Sequence, residues 1–130
     1  MIVDTSALVA ILREEPEAPT LAQSIASSSV RLISAVNFVE AAVVIDGSRN
    51  PVASRKFDEF LREAKLVVEP VTQAQARIAR EAYRDFGKDS GHPARLNFGD
   101  CFAYALAKET SEPLLCKGND FRHTDLTVLP

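Results

Sequence analysis

Short apolar runs alternate with helical patterns along the chain. Segments rich in Val, Ile and Leu start near Ile2, Arg31, Leu66, Leu114 and Thr127. Each reads as a strand of a mostly parallel sheet. Between them, Ser6 to Glu14 and Ala18 to Ser27 read as two helices broken at Pro16, and Val36 to Asp46 as a third that stops at Gly47. A fourth starts at Asn50-Pro51, with Asn50 as N-cap and Pro51 at the first helical position, where its missing N–H costs nothing. Thr72 with Gln75 resembles a capping box for a helix that runs to Phe86 and ends at Gly87. Lys88 to Phe98 is the longest loop. The first helix is apolar nearly all round from Ala7 to Leu12, as a helix buried on several sides would be. The alternation predicts an α/β fold with a mostly parallel central sheet.

Composition sharpens this picture. A chain of 130 residues, 46% hydrophobic and 25% charged, fits one domain with a real core, and it shows no internal repeat or linker. No apolar stretch approaches the roughly 20 residues that span a bilayer, and the first residues lack the layout of a signal peptide. The expectation is a cytoplasmic protein with no membrane partner. Cys101 and Cys116 lie in apolar surroundings at a spacing that suits neither zinc nor a disulfide framework, so both read as buried thiols. The net charge of −3, from 15 basic and 18 acidic residues, argues against a protein that coats nucleic acid through a broad basic surface. It does not exclude a nuclease, because acids gathered on a metal are neutralised locally.

Four acids change the picture most. Asp4 ends the run Met1-Ile2-Val3, Glu40 interrupts an apolar helix, Asp100 opens a helix after Asn97-Phe98-Gly99, and Asp120 follows Leu114-Leu115-Cys116. Ligands of open α/β sheets bind beyond the carboxyl ends of the strands, where Asp4 and Asp120 are expected to end two of them. Glu40 shares a helix face with Val36, Val43 and Val44, so its carboxylate should point toward the protein. Each acid also has an ordinary reading: Asp4 and Asp100 as helix caps, Asp120 as a turn residue, Glu40 in a buried salt bridge. Together they favour a site. Carboxylates in one crevice repel, by roughly 4 kcal/mol for a pair 4 Å apart at an effective dielectric of 20, and a cation resolves the conflict. All-oxygen ligands select a hard metal, Mg²⁺ or Mn²⁺, which points to hydrolysis or phosphoryl chemistry. Lys117 and Arg95 are the cations considered for stabilising charge on a phosphoryl group.

The segments Ile2-Val3-Asp4-Thr5-Ser6-Ala7, mid-chain Glu40, Leu96-Asn97-Phe98-Gly99-Asp100-Cys101 and Lys117-Gly118-Asn119-Asp120-Phe121 resemble, in order and spacing, the motifs of PIN-domain ribonucleases. The closest subgroup is the VapC toxins of VapBC toxin–antitoxin modules. The resemblance covers essentially the whole chain. It implies a Rossmann-like three-layer α/β/α sandwich and an endoribonuclease dependent on Mg²⁺ or Mn²⁺, acting on RNA such as tRNA or another structured RNA. It also implies a homodimer restrained by a VapB-type antitoxin. Asp4, Glu40 and Asp100 fall on the family's acidic core, and Asp120 on its more variable fourth position. Thr5, Ser6 and Asn97 fall beside them as supporting residues, with the sequence unable to choose between the two hydroxyls for Asp4.

Three rival readings stand beside this one. His92 and His123 could form an acid–base pair for metal-free RNA cleavage through the 2′-hydroxyl, which would leave a cyclic phosphate rather than a 5′-phosphate. An aspartyl phosphatase would carry a second aspartate two positions after the first, where this chain has Ser6. A non-catalytic binding module of the same fold would not need all four acids.

Overall fold

The computed structural model describes residues 1–130. Five short strands, β1 (Ile2–Val3), β2 (Leu32–Ser34), β3 (Val67–Glu69), β4 (Leu114–Leu115) and β5 (Val128–Leu129), begin within one residue of the positions expected from the apolar runs. All pairings are parallel, in the order β3-β2-β1-β4-β5, with Ile2 opposite both Leu32 and Leu114.

Strand alternation divides the core into two layers. Ile2 and Leu114 pack with α5 (Gln73–Phe86) and α6 (Phe98–Thr110) on one side of the sheet. Val3, Ile33 and Leu115 pack on the other with α1 (Thr5–Leu12), α2 (Ala18–Ala26), α3 (Ala35–Gly47) and α4 (Pro51–Glu63). The result is a three-layer α/β/α sandwich whose inner strands are buried on both faces, which explains their unbroken apolar sequence. The strand order reverses beside β1, the switch point at which open α/β sheets form a crevice.

Several helix ends match the sequence reading. Asn50 caps α4, its Oδ1 accepting the Val52 N–H at 3.0 Å, with Pro51 as first helical residue. The Thr72 hydroxyl accepts the Gln75 N–H at 3.1 Å, but the capping box is only half made, because Gln75 turns inward and its Oε1 is buried without a partner. Gly87 ends α5 in an extended conformation, φ −69°, rather than a left-handed one. A Cβ there would overlap the Tyr83 carbonyl, so close approach accounts for the glycine.

Three expectations need correction. The helix α6 opens at Phe98, not Asp100, since Asn97 supplies the cap one turn earlier. Asp120 does not end a strand: β4 stops at Leu115, and Asp120 heads a 3₁₀ turn over Asp120–His123. Finally, α1 buries Ala7, Leu8 and Ala10 fully, while Val9, Ile11 and Leu12 are only partly buried against the same core layer.

Candidate active site

Asp4 leaves β1 in an extended conformation and caps α1. Its N–H donates to the Leu115 carbonyl of β4 at 2.9 Å, which fixes it at the switch point. The Asp4 Oδ2 accepts the Ser6 N–H at 3.0 Å and the Ser6 hydroxyl at 2.6 Å. Ser6 Oγ in turn accepts the Lys117 N–H at 3.0 Å, so one hydroxyl ties the acid to the segment after β4. The carboxylate that caps α1 also lines a crevice with Glu40 and Asp100.

Glu40 lies one turn into α3. Its Oε1 accepts the Thr5 hydroxyl at 2.7 Å and the Asn37 Nδ2 at 3.0 Å. The two hydroxyls that the sequence could not rank therefore hold different acids: Ser6 serves Asp4 and Thr5 serves Glu40. No arginine reaches Glu40, so the buried salt-bridge alternative fails.

Asn37 was not singled out by the sequence. It is 0% exposed and joins three helices, its Nδ2 also donating to the Gly99 carbonyl of α6 at 3.0 Å and lying 3.2 Å from Thr5 Oγ1. A polar residue one turn before the acid, inside an apolar helix, was the available signal. Gly99 completes the junction: a Cβ there would overlap the Glu40 carboxylate, so only glycine lets α6 approach α3 this closely.

Asp100 is the third residue of α6 and part of a complete capping box. Its N–H donates to Asn97 Oδ1 at 2.9 Å, while its Oδ2 accepts the Asn97 N–H at 3.0 Å. The cap aims the carboxylate instead of competing with a role in the crevice.

Asp4, Glu40 and Asp100 line one crevice of ≈ 290 Å³, together with Thr5, Ser6 and Asn97. Electrostatics confirm the crowding. Burial, then the neighbouring charge of Asp4, pushes Asp100 up to about 7, against the opposing Asn97 N–H and with further contributions from Asp120 and Glu40. Burial also raises Asp4, countered by the Ser6 hydrogen bonds and reinforced by Glu40. Asp120 is within electrostatic reach of Asp100 but is exposed and does not line the crevice.

The expected cations are placed differently. Lys117 Nζ is paired with Glu15 at 2.9 Å and Glu17 at 3.5 Å, and Arg95 does not line the crevice. Arg13, near the end of α1, does line it and has no carboxylate partner. The two histidines do not join the acids. His92 Nδ1 accepts the Ala94 N–H at 3.1 Å and its ring packs on Phe86, while His123 is exposed on the 3₁₀ turn, and neither lines the crevice. Cys101 and Cys116 are buried free thiols, with burial raising them to about 11 and about 12.

The donor chemistry fits a hard cation. In all three crevice acids the protein's hydrogen bonds fall on one oxygen, Asp4 Oδ2, Glu40 Oε1 and Asp100 Oδ2. No three acidic, histidine or cysteine side chains are grouped closely enough to enclose a metal by themselves. An ion there would have to complete its shell with waters or substrate oxygens, as Mg²⁺ usually does.

A family model described as PIN domain matches residues 1–126. The chain is 59% identical over 124 residues to Ribonuclease VapC28 of Mycobacterium tuberculosis, covering 95% of this chain and 93% of that protein. It is 48% identical over 126 residues to Ribonuclease VapC42 of the same species, covering 97% and 96%. A solved structure of M. tuberculosis VapC20, described as a Sarcin-Ricin loop cleaving toxin, overlays with TM-score 0.76 at 18% identity, covering 97% of this chain and 95% of that one, and at that identity the likeness concerns the fold. The chain belongs to the PIN-domain family and, within it, to the VapC type. Its sandwich is a PIN fold.

Proposed function

We propose that residues 1–130 form one nuclease domain that cleaves RNA with the help of Mg²⁺ or Mn²⁺ and serves as the toxin of a toxin–antitoxin pair. The carrying observation is the crevice that Asp4, Glu40 and Asp100 line together, none of them in a salt bridge, where burial and then the charge of Asp4 raise Asp100 to about 7. Membership of the VapC type, with relatives named as ribonucleases, supports RNA as the substrate.

A bound divalent ion would supply charge neutralisation and a more acidic water for hydrolysis of the phosphodiester. Asp4, Glu40 and Asp100 would hold it, and Asp120 would add negative potential at the rim. Ser6 and Thr5 keep two of the carboxylates in position, Asn37 ties α3 to α6, Asn97 aims Asp100, and Arg13 offers its charge to a substrate phosphate. In the cell the protein would act in the cytoplasm as a homodimer held inactive by a VapB-type antitoxin encoded beside it.

The test is cleavage of total RNA and tRNA by purified protein in Mg²⁺ or Mn²⁺ and in EDTA, with the new ends mapped. Metal-dependent cleavage leaving 5′-phosphates is expected. Full activity in EDTA, or cyclic-phosphate ends, would overturn the reading. Growth arrest by the wild type, relieved by the neighbouring reading frame and absent with Asp100→Asn, tests the toxin role.

A further inference from the structure

A second groove, of ≈ 580 Å³, lies between α5 and α6 and is separate from the hydrogen-bonded core of the acid crevice. Its α5 wall is one helical face, Ala76, Ala79, Arg80 and Tyr83, spaced at three and four residues. Its α6 wall carries Phe98 and Phe102, whose rings meet edge to face with centroids 5.0 Å apart. Phe98 is 70% exposed, which is unusual for a phenylalanine on the first turn of a helix whose other face is core. Asn97 lines both this groove and the acid crevice, so the two adjoin.

We propose that this groove receives an unstacked nucleobase of the RNA substrate, next to the scissile phosphate, with Phe98 as the stacking surface. The inference rests on the ribonuclease reading above and adds to it a subsite and a residue. Its volume is within the range of pockets that bury small ligands. Proteins read single-stranded RNA by stacking splayed bases on aromatic rings and Arg planes. Arg80 and Lys88 line the groove with no carboxylate partner, and Arg77, one turn before Arg80, is also unpaired, so the rim offers positive charge to the backbone on either side of the base. Asp89, exposed like Arg80 and Lys88, also lines the groove and accepts the Tyr83 hydroxyl at 2.9 Å. A protein segment would equally enjoy the apolar walls, but the unpaired cations and the adjacency to the acids favour RNA.

The experiment is steady-state cleavage of a short RNA by wild type, Phe98→Ala and Phe98→Trp, with each nucleotide flanking the cleaved bond replaced in turn by an abasic one. Phe98→Ala is expected to lower kcat/KM about 10-fold, mainly through KM, and Phe98→Trp to retain it. At one flanking position the abasic RNA should lose as much with wild type and lose little more with Phe98→Ala. An unchanged kcat/KM, or losses that multiply at every position, would overturn the proposal. Because Phe98 is exposed, thermal melting of Phe98→Ala should match wild type, and a large drop would assign the side chain to packing instead.

A readout independent of cleavage uses the absence of tryptophan in this chain. In a Phe98→Trp, Asp100→Asn double variant, fluorescence of the introduced tryptophan should be quenched by single-stranded oligoribonucleotide and not by the matching abasic one. RNA that binds, by anisotropy, without quenching would sink the base subsite while leaving the nuclease intact. Wild type that neither cuts nor binds RNA would remove the ribonuclease reading and this proposal with it. Loss of antitoxin binding by Phe98→Ala, with unchanged RNA cleavage, would assign the groove to the protein partner and overturn the RNA assignment.

Discussion

The two ends of α6 treat a carboxylate in opposite ways. At its start, Asp100 faces Asp4, Glu40 and Asp120, has no cation partner, and is raised to about 7. Toward its end, Tyr104 donates to Asp125 at 2.7 Å and Lys108 pairs with the same acid at 2.9 Å, and Lys108, ahead of Tyr104, holds Asp125 below the ordinary carboxylate range. The second arrangement is what a structural acid adopts: hydrogen-bonded, half in water, opposite a cation. The first is relieved either by a proton on Asp100 or by positive charge from outside the chain. Burial together with like charges, with no cation paired to the acid, is the mark of a candidate site.

The largest test of this contrast is activity. Asp4→Asn, Glu40→Gln and Asp100→Asn should each lower RNA cleavage by at least about 100-fold, since an amide is a poorer ligand for a hard cation and loss of even a supporting residue costs about 10- to 100-fold. Asp125→Asn should leave cleavage near wild type. Equal losses in all four would erase the distinction between the two ends. Next in size, Asn37→Ala and Gly99→Ala should lower activity about 10- to 100-fold, one by releasing Glu40 and the other by displacing it. Wild-type rates in both would mean that the α3–α6 junction does not position the acid.

Stability gives a smaller, signed effect. In metal-free protein the folded state holds the Asp100 proton up to about 7, whereas the unfolded chain releases it near 3.8. The folded state thus binds more protons between those values, and stability falls as pH rises through that window. In EDTA, Asp100→Asn should melt above wild type near pH 8 and approach it near pH 4. Added Mg²⁺ should then raise the melting temperature of wild type more than that of the variant. A variant that melts lower at every pH would make Asp100 a structural cap.

The smallest effect belongs to the other end. Asp125 is lowered, so its contribution is present above the ordinary carboxylate pKa and is lost as pH falls through and below that range. Its side chain is 52% exposed and solvent screens the pair, so Asp125→Asn should cost about 0–1 kcal/mol near neutrality and nothing in strong acid. A metal-dependent difference for this variant would contradict its separation from the crevice.

Much of this was legible beforehand because it depends on local or periodic rules. Buried parallel strands need continuous apolar residues, so β1, β2 and β4 were visible as runs, and β3 and β5 were visible by the same apolar runs although Val67 and Val68 proved exposed. Asn50-Pro51 and Thr72 announced helix starts because capping is a matter of neighbours in sequence. Glu40 stood out because an acid among valines has no solvated face in the sequence pattern, although Val39 and Val43 proved to be the exposed side of α3. Asp120 was misplaced, because whether a strand continues past Leu115 or turns depends on pairing with β5, which no local rule supplies.

The sequence by itself determined the order of strand and helix and singled out the candidate acids, since hydrophobic period and residue chemistry are carried by the chain directly, while the three layers came from the family resemblance. Only the tertiary structure decided which hydroxyl serves which acid, that Asn37 joins three helices, that Gly99 must lack a side chain, and that Lys117 faces Glu15 rather than the crevice. Those are relations among residues far apart in sequence, up to 111 positions for the Ser6 contact with Lys117. Their distances are set by how α1, α3 and α6 pack around the switch point, a balance of many weak contacts that no single segment encodes.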